Sequence, residues 1–225
     1  MKILHLETSS KNCSVAISDG EELLCLCEEV SENYKQSESL HTFVEWALEG
    51  AEISLKGIDA VSLGKGPGSY TGLRIGASSA KGFCFGLNVP LIAVNSMETM
   101  IEPFSNQEFD LIIPLIDARR MEVYTAVYDG KTGEEICKTD NLILDENSFK
   151  DYSGKKILFV GDGSTKAKDI LTLKNVEYKS DVYPSAQYLI KKSVEKFNKK
   201  EFEDVAYFEP FYLKDFHGVK KSEKA

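Results

Sequence analysis

The residues best placed to do chemistry lie in the run Gly64-Lys65-Gly66-Pro67-Gly68-Ser69-Tyr70-Thr71-Gly72-Leu73-Arg74-Ile75-Gly76. A hydrophobic segment precedes it and a helix-forming segment follows, so it reads as a strand-to-helix turn. Glycine permits positive φ and close backbone approach, and Ser69 or Thr71 can cap the new helix. Backbone N–H groups left free at a helix start suit an anion such as phosphate. Gly66, Gly68, Ser69, Thr71 and Arg74 are therefore candidate nucleotide- or anion-binding residues, with a tight ligand-free connection as the competing reading. The run is not a Walker A loop, because Gly66 follows Gly64-Lys65 where Ser or Thr is required. Nor is it a dinucleotide fingerprint, since Ser69 and Thr71 stand where third glycines would fall. A second candidate is Asp117 with Arg119 and Arg120: the arginines could hold a phosphate, or the segment is a hairpin turn bearing exposed charge.

Metal and nucleophile chemistry find little support. The histidines are His5, His41 and His217, and no two lie one helical turn apart, as a paired metal site on a helix would need. No Ser-His-Asp or Cys-His arrangement can be assigned. Cys13, Cys25, Cys27, Cys84 and Cys137 are odd in number and contain no C-x-x-C pair, which argues against a disulfide framework and a zinc ribbon. Cys84 falls among small and aromatic residues and reads as an inert buried thiol. A formal charge of −9 opposes a polyanion, so any RNA is expected to be held through another subunit. Lys214, Lys220, Lys221 and Lys224 gather near the end and read as a solvated tail. No apolar run approaches the ~18 residues of a membrane helix, and the opening Met1-Lys2-Ile3-Leu4-His5-Leu6-Glu7 lacks a signal-peptide core, so a cytoplasmic location is expected.

The elements that must position these residues follow from hydrophobic period. Residues 2–8, Cys13 to Ser18 and Glu22 to Glu28 read as strands, with Ser18-Asp19-Gly20 as a hairpin turn. Leu40, Phe43, Val44, Ala47 and Leu48 recur at helical spacing between Ser37 and Glu49. Ile58 to Leu63 is a strand, Ser69 to Gly86 a helix and Leu91 to Val94 a strand. The pattern then restarts: Ile3 to Glu7 aligns with Ile113 to Asp117, and Ser14 to Ile17 with Tyr124 to Val127. Strands at Glu135 to Leu144 and Lys156 to Val160 and helices at Ser164 to Leu171 and Ser185 to Lys196 complete a second α/β unit. The duplication divides the chain into residues 1–105 and 106–225.

GPGSYTGLRIG at residues 66–76, ILHLETSSKNCSVAI at 3–17, IDARRMEVY at 116–124 and EPFYL at 209–213 resemble, in order and spacing, the bacterial TsaB (YeaZ) family. The resemblance implies an actin-like ATPase fold, with two ribonuclease-H-like lobes of which the second is reduced. It implies a non-catalytic subunit in threonylcarbamoyladenosine formation in tRNA. Its expected partners are a TsaD-like catalytic subunit and a TsaE-like ATPase, with a homodimer possible for the isolated chain and tRNA reached only through the complex. ATP and a divalent metal would belong to those partners. Glu7 and Asp117 then sit where actin-like enzymes place carboxylates, although Glu7 is a methylene longer than the usual Asp and both acids suit strand-end hydrogen bonding equally. Gln36 stands where relatives often carry a histidine. An independent actin-like enzyme, either a small-molecule kinase or ATPase or a metalloprotease, is the alternative.

The helix after the glycine-rich turn carries Gly72, Gly76 and Ala80 every four residues. Such a row lets another helix approach closely, or packs on the chain's own sheet. With the resemblance, Gly72, Gly76, Ala80 and Phe83, together with Leu40 and Phe43 on the preceding helix, form the expected partner face.

Overall fold

The computed structural model describes residues 1–32, 36–105 and 107–214. His217, Lys220, Lys221 and Lys224 lie outside the described residues. The first strand, Lys2–Glu7 (β1), is buried on both faces from Ile3 onward, because it runs between Asn12–Asp19 (β2) and Ala60–Gly64 (β4). A strand flanked on both sides and covered on both faces is largely apolar, and the two buried polar members here, His5 and Glu7, are hydrogen-bonded. The strand Glu22–Val30 (β3) pairs antiparallel with β2, and Gly20 supplies the positive φ of the turn between them. With Leu91–Val94 (β5) parallel to β4, the sheet has the order β3-β2-β1-β4-β5.

Two helices, Gln36–Gly50 (α1) and Tyr70–Leu87 (α2), cover one face of this sheet. Ser69 starts α2 by accepting the Gly72 N–H on its Oγ at 3.3 Å, and Asn88 ends it in the left-handed conformation. Leu40, Val44 and Ala47 of α1 and Ala77, Ala80 and Cys84 of α2 meet Leu4, Leu6, Val15 and Leu63 of the strands. Burial pushes the Cys84 thiol up to about 12, as expected for an inert side chain.

The second half repeats the plan. Leu111–Asp117 (β6), Glu122–Asp129 (β7), Glu135–Ile143 (β8), Ile157–Val160 (β9) and Val176–Lys179 (β10) form a sheet of order β10-β9-β6-β7-β8. In each sheet the first strand is antiparallel to the second and parallel to the fourth. That shared connectivity is the ribonuclease-H-like unit, and two in tandem make the actin-like architecture. Reduction of the second lobe lies in its helices: Ser164–Ile170 (α4) has 7 residues where α2 has 18.

Three elements depart from the expected outline. The helix Ser96–Ile101 (α3), capped by Asn95, links the lobes and packs with Met97 and Met100 against Ile112 and Tyr128 of the second sheet. The strand β10 forms the second sheet's edge. The 3₁₀ turn Ala186–Leu189 and helix Ile190–Lys199 (α5) return to the first lobe, where Ala186, Leu189 and Val194 meet Ile3, Ala16, Ile92 and Val94 on the face opposite α1 and α2. The split at residue 105 therefore does not describe the core, because residues 186–208 pack on the first sheet. Among the described residues no helix is long and apolar enough to cross a membrane.

Candidate functional site

Glu7 ends β1 and is fully buried. Its Oε1 accepts the Ser9 N–H at 2.8 Å and its Oε2 the Ser96 hydroxyl at 2.9 Å. Among the described residues it has no ion pair. Burial raises its pKa, and the hydrogen bonds from Ser9 and Ser96 oppose the rise. Gly64 lies directly behind this carboxylate, and a Cβ there would fall on Glu7 itself. The glycine-rich turn closes over the same spot. Gly68 packs on the Ser9 carbonyl, and the Ser69 N–H donates to it at 2.6 Å. The Gly66 N–H donates to Ser96 Oγ at 3.2 Å, and the Ser96 N–H donates to the Gly66 carbonyl at 2.9 Å.

The N–H groups of Gly66, Ser69 and Gly72 are thus directed at the chain's own oxygens, so Gly66 and Ser69 do not supply the free donors expected of an anion cradle. Thr71 is exposed on the first turn of α2. Arg74 points elsewhere: its guanidinium lies 5.0 Å from the Tyr70 ring centroid, and its charge acts on the Tyr212 phenol against the effect of burial. Gln36 is buried, and its amide donates to the Ser10 carbonyl, so it braces the β1–β2 turn.

The small-residue row faces inward. A Cβ on Gly72 would meet the Thr8 carbonyl, and one on Gly76 would meet Thr8 Oγ1 and lie 3.0 Å from Leu63 Cδ1. Ala80 and Leu40 are fully buried and Phe43 nearly so. The partner face expected of Gly72, Gly76, Ala80, Leu40 and Phe43 is therefore core, for the bland reason that a helix crossing a strand end closely needs small residues. Phe83 is half-buried with its ring centroid 5.7 Å from that of His41. The outward side of these helices carries Trp46, 56% exposed, and Phe85, 86% exposed. Gly82 and Gly86 have open space where a Cβ would project.

In the second lobe the corresponding acid, Asp117, is exposed. Its Oδ1 accepts the Arg119 N–H at 2.6 Å and Lys166 Nζ at 2.7 Å. Lys166 also donates to the carbonyls of Arg120 and Glu122 at 2.8 and 2.9 Å, fixing the turn. Asp162 accepts the Asp117 N–H at 2.8 Å, and burial, with the charge of Asp117, raises its pKa. Arg119 and Arg120 are exposed, with φ of 69° and 52°, a region that non-glycine residues seldom enter.

Residues 211–214 join the two lobes. The Phe211 N–H donates to the Lys65 carbonyl at 2.8 Å, the Tyr212 ring lies 5.1 Å from that of Tyr70 at a tilt of 41°, and Lys214 pairs with Glu122 while its ammonium lies 6.0 Å from the Tyr124 ring centroid. An open groove of about 540 Å³ lies beside them, lined by Lys65, Tyr207, Phe211 and Tyr212 among others. Tyr70, Tyr124 and Tyr212 lie in three separate motifs, and their grouping with Lys214 could not be read from any one of them because it spans the chain. Among the described residues no three His, Cys, Asp or Glu side chains converge as a metal site would require.

The family profile described as TsaD: tRNA N6-adenosine threonylcarbamoyltransferase matches residues 28–218. The tRNA threonylcarbamoyladenosine biosynthesis protein TsaB of Bacillus subtilis (strain 168) is 30% identical, over 76% of this chain and 75% of its own. The protein of the same description from Escherichia coli (strain K12) is 29% identical over 98% of each chain. The solved structure of YeaZ from Pseudomonas aeruginosa superposes with a TM-score of 0.80 at 25% identity, over 94% of this chain and 100% of its own. With a family profile matched over residues 28–218 and curated TsaB relatives matched over as much as 98% of the chain, the chain belongs to the TsaB (YeaZ) family.

Proposed function

We propose that this chain is a non-catalytic subunit in the formation of threonylcarbamoyladenosine in tRNA, working in the cytoplasm with a TsaD-like catalytic subunit and a TsaE-like ATPase. The observation that carries this reading is the closure of the glycine-rich turn on Glu7. A carboxylate buried behind Gly64 and bonded to Ser9 and Ser96 has no open side toward a nucleotide or a metal. ATP and the divalent ion then belong to the partners, and tRNA is held by the assembly.

Trp46 and Phe85, exposed on α1 and α2, are the apolar side chains offered to the partner, or to a second copy when the chain is alone. Reconstitution tests the reading. The chain alone should show no threonylcarbamoyl transfer, peptidase activity or ATP turnover, and the modification should require it once the partners are present. Trp46→Glu with Phe85→Glu should abolish co-elution with the TsaD-like subunit while the melting temperature stays unchanged. Turnover that follows the chain alone through purification, or pairing that survives both substitutions, refutes it.

A further inference from the structure

The two most exposed large apolar side chains among the described residues are Phe85 of α2, at 86%, and Tyr207, at 85%. They stand on either side of one lysine. Lys81 lies one helical turn before Phe85 on the same side of α2. Its ammonium donates to the carbonyls of Ala206 and Phe208, which flank Tyr207, at 2.9 and 3.0 Å. Tyr207 therefore tips a hook that is held from within. Asp204 Oδ1 accepts the N–H groups of Ala206 and Tyr207 at 2.8 and 3.2 Å, and the Phe208 N–H donates to the Asp204 carbonyl at 2.8 Å. Phe208 is buried and Val205 partly so, both in the core that α1 and α2 cover. The Glu203 N–H donates to the Leu91 carbonyl at 2.9 Å and ties the root of the hook to the edge of the first sheet.

Single exposed apolar side chains are ordinary, but a ring whose backbone is already fixed loses little freedom when a partner covers it, which suits an interface anchor. Gly82 and Gly86, with open space where a Cβ would project, leave the outer side of α2 around Phe85 clear for close approach. The ground beside the hook is acidic. Glu203, Asp204 and Glu209 line the open groove with Lys65 as its one cation, and neither glutamate has an ion pair among the described residues.

We propose that Phe85 and Tyr207 are paired anchors for the catalytic partner subunit, received by an apolar depression rimmed with lysine or arginine, and that Lys81 is the positioning residue that presents Tyr207. The inference rests on the reading that the chain works with such a subunit, and it adds to that reading the hook and the charge of the opposing surface. A second copy fits this surface poorly, because a two-fold contact sets the same patch on both sides and would bring the acids of both hooks together.

The experiment is surface plasmon resonance with the TsaD-like subunit immobilised and the full chain in solution, each variant being checked by its melting temperature. Tyr207→Ser should weaken binding at least about ten-fold with an unchanged melt, since the free chain leaves this ring in water. Lys81→Met should weaken binding as well, and should add nothing in the Tyr207→Ser background, because it acts only through the ring it presents. A lysine that merely stabilises the fold would cost the same in both backgrounds. Glu203→Gln with Glu209→Gln should slow association and flatten its dependence on salt, with dissociation nearly unchanged.

Wild-type affinity in Tyr207→Ser overturns the proposal, and so does faster association of the glutamine pair, which would mark an acidic rim on the partner. Sedimentation of the chain alone tests the other occupant: a homodimer that Tyr207→Ser dissociates while the partner still binds assigns the hook to a second copy and overturns the proposal too. If Trp46→Glu with Phe85→Glu loses the partner and Tyr207→Ser keeps it, the functional reading stands without the hook. If the wild-type chain does not bind the subunit at all, that reading fails and takes the anchor pair with it.

Discussion

Gly76→Ala and Gly82→Ala place the same methyl group in the same helix, and their stability effects should have opposite signs. At Gly82 nothing lies within 4 Å of the new Cβ, so only helix propensity acts, and the variant should gain about 0.5–1 kcal/mol. At Gly76 the Cβ would press on Thr8 Oγ1 and lie 3.0 Å from Leu63 Cδ1. Thr8 cannot turn away freely, because its hydroxyl donates to the Gly72 carbonyl at 2.8 Å in a fully buried site. Overpacking of this kind costs about 1–3 kcal/mol, and stranding a buried hydrogen-bond partner costs about as much again. Against the propensity gain of ~1 kcal/mol, the net loss at Gly76 should be about 1–5 kcal/mol. Urea denaturation of both variants, with a common slope, reads the difference directly. In a thermal melt each kcal/mol is about 2–4 °C for a chain of this size. If Gly76→Ala is as stable as wild type but fails to bind the TsaD-like subunit, the row faces a partner after all and the internal packing is refuted.

Glu7 and His5 should give the chain opposed pH dependences. Burial raises the Glu7 pKa above its ordinary value of 4.5, so the folded state favours its neutral form, and the stability this contributes is lost as pH rises through the shifted value. Glu7→Gln should remove that decline, and urea midpoints that still fall with pH just as in wild type would count against it. His5, fully buried with Nε2 2.9 Å from Ser18 Oγ, is lowered from 6.5 to about 3 by burial. Its contribution is therefore present above pH 6.5 and lost as pH falls toward 3, to a total on the order of 5 kcal/mol. His5→Gln should flatten the acid limb of the stability curve between those limits, and an unchanged limb would show that another group titrates there.

The strands were legible where burial is one-dimensional. An unbroken apolar run such as Ile3 to Leu6 or Leu91 to Val94 has few alternatives to a flanked strand, and the capping by Ser69 is a local event. Short elements were not legible. Ser96–Ile101 is a single Met-rich turn and a half, too brief to show a period, although its Ser96 holds Glu7. Val176–Lys179 alternates only twice before polar loops resume. The glycine row shows why period does not give direction. Gly72, Gly76 and Ala80 share a face of α2 in any structure, but what that face meets is Thr8, which the sequence separates from Gly72 by 64 residues. The same distance problem hid the grouping of Tyr70 with Tyr212 and of Tyr124 with Lys214, whose members come from both lobes and the tail.

Glu7 and Asp117 occupy the same place in duplicated units, yet one is buried without a cation and the other exposed against Lys166. The difference follows from what packs behind each acid. In the first lobe Gly64 leaves room for a carboxylate one methylene longer, and the α3 hydroxyl of Ser96 and the Ser9 N–H replace water. In the second lobe Gly161 and Gly163 press on the Leu115 carbonyl and bring Asp162 to the Asp117 N–H, which leaves the Asp117 carboxylate to Lys166 and solvent. A buried acid satisfied by neutral donors braces a turn, because any ligand drawing on it would have to displace hydrogen bonds that have no water to replace them. An acid already paired with lysine at 2.7 Å has its charge spent. Residues 211–214 bridge the lobes through the Phe211 N–H to the Lys65 carbonyl and the pairing of Lys214 with Glu122. The duplicated fold thus keeps the strand-acid-turn plan in both halves while directing each acid to hold its own turn in place.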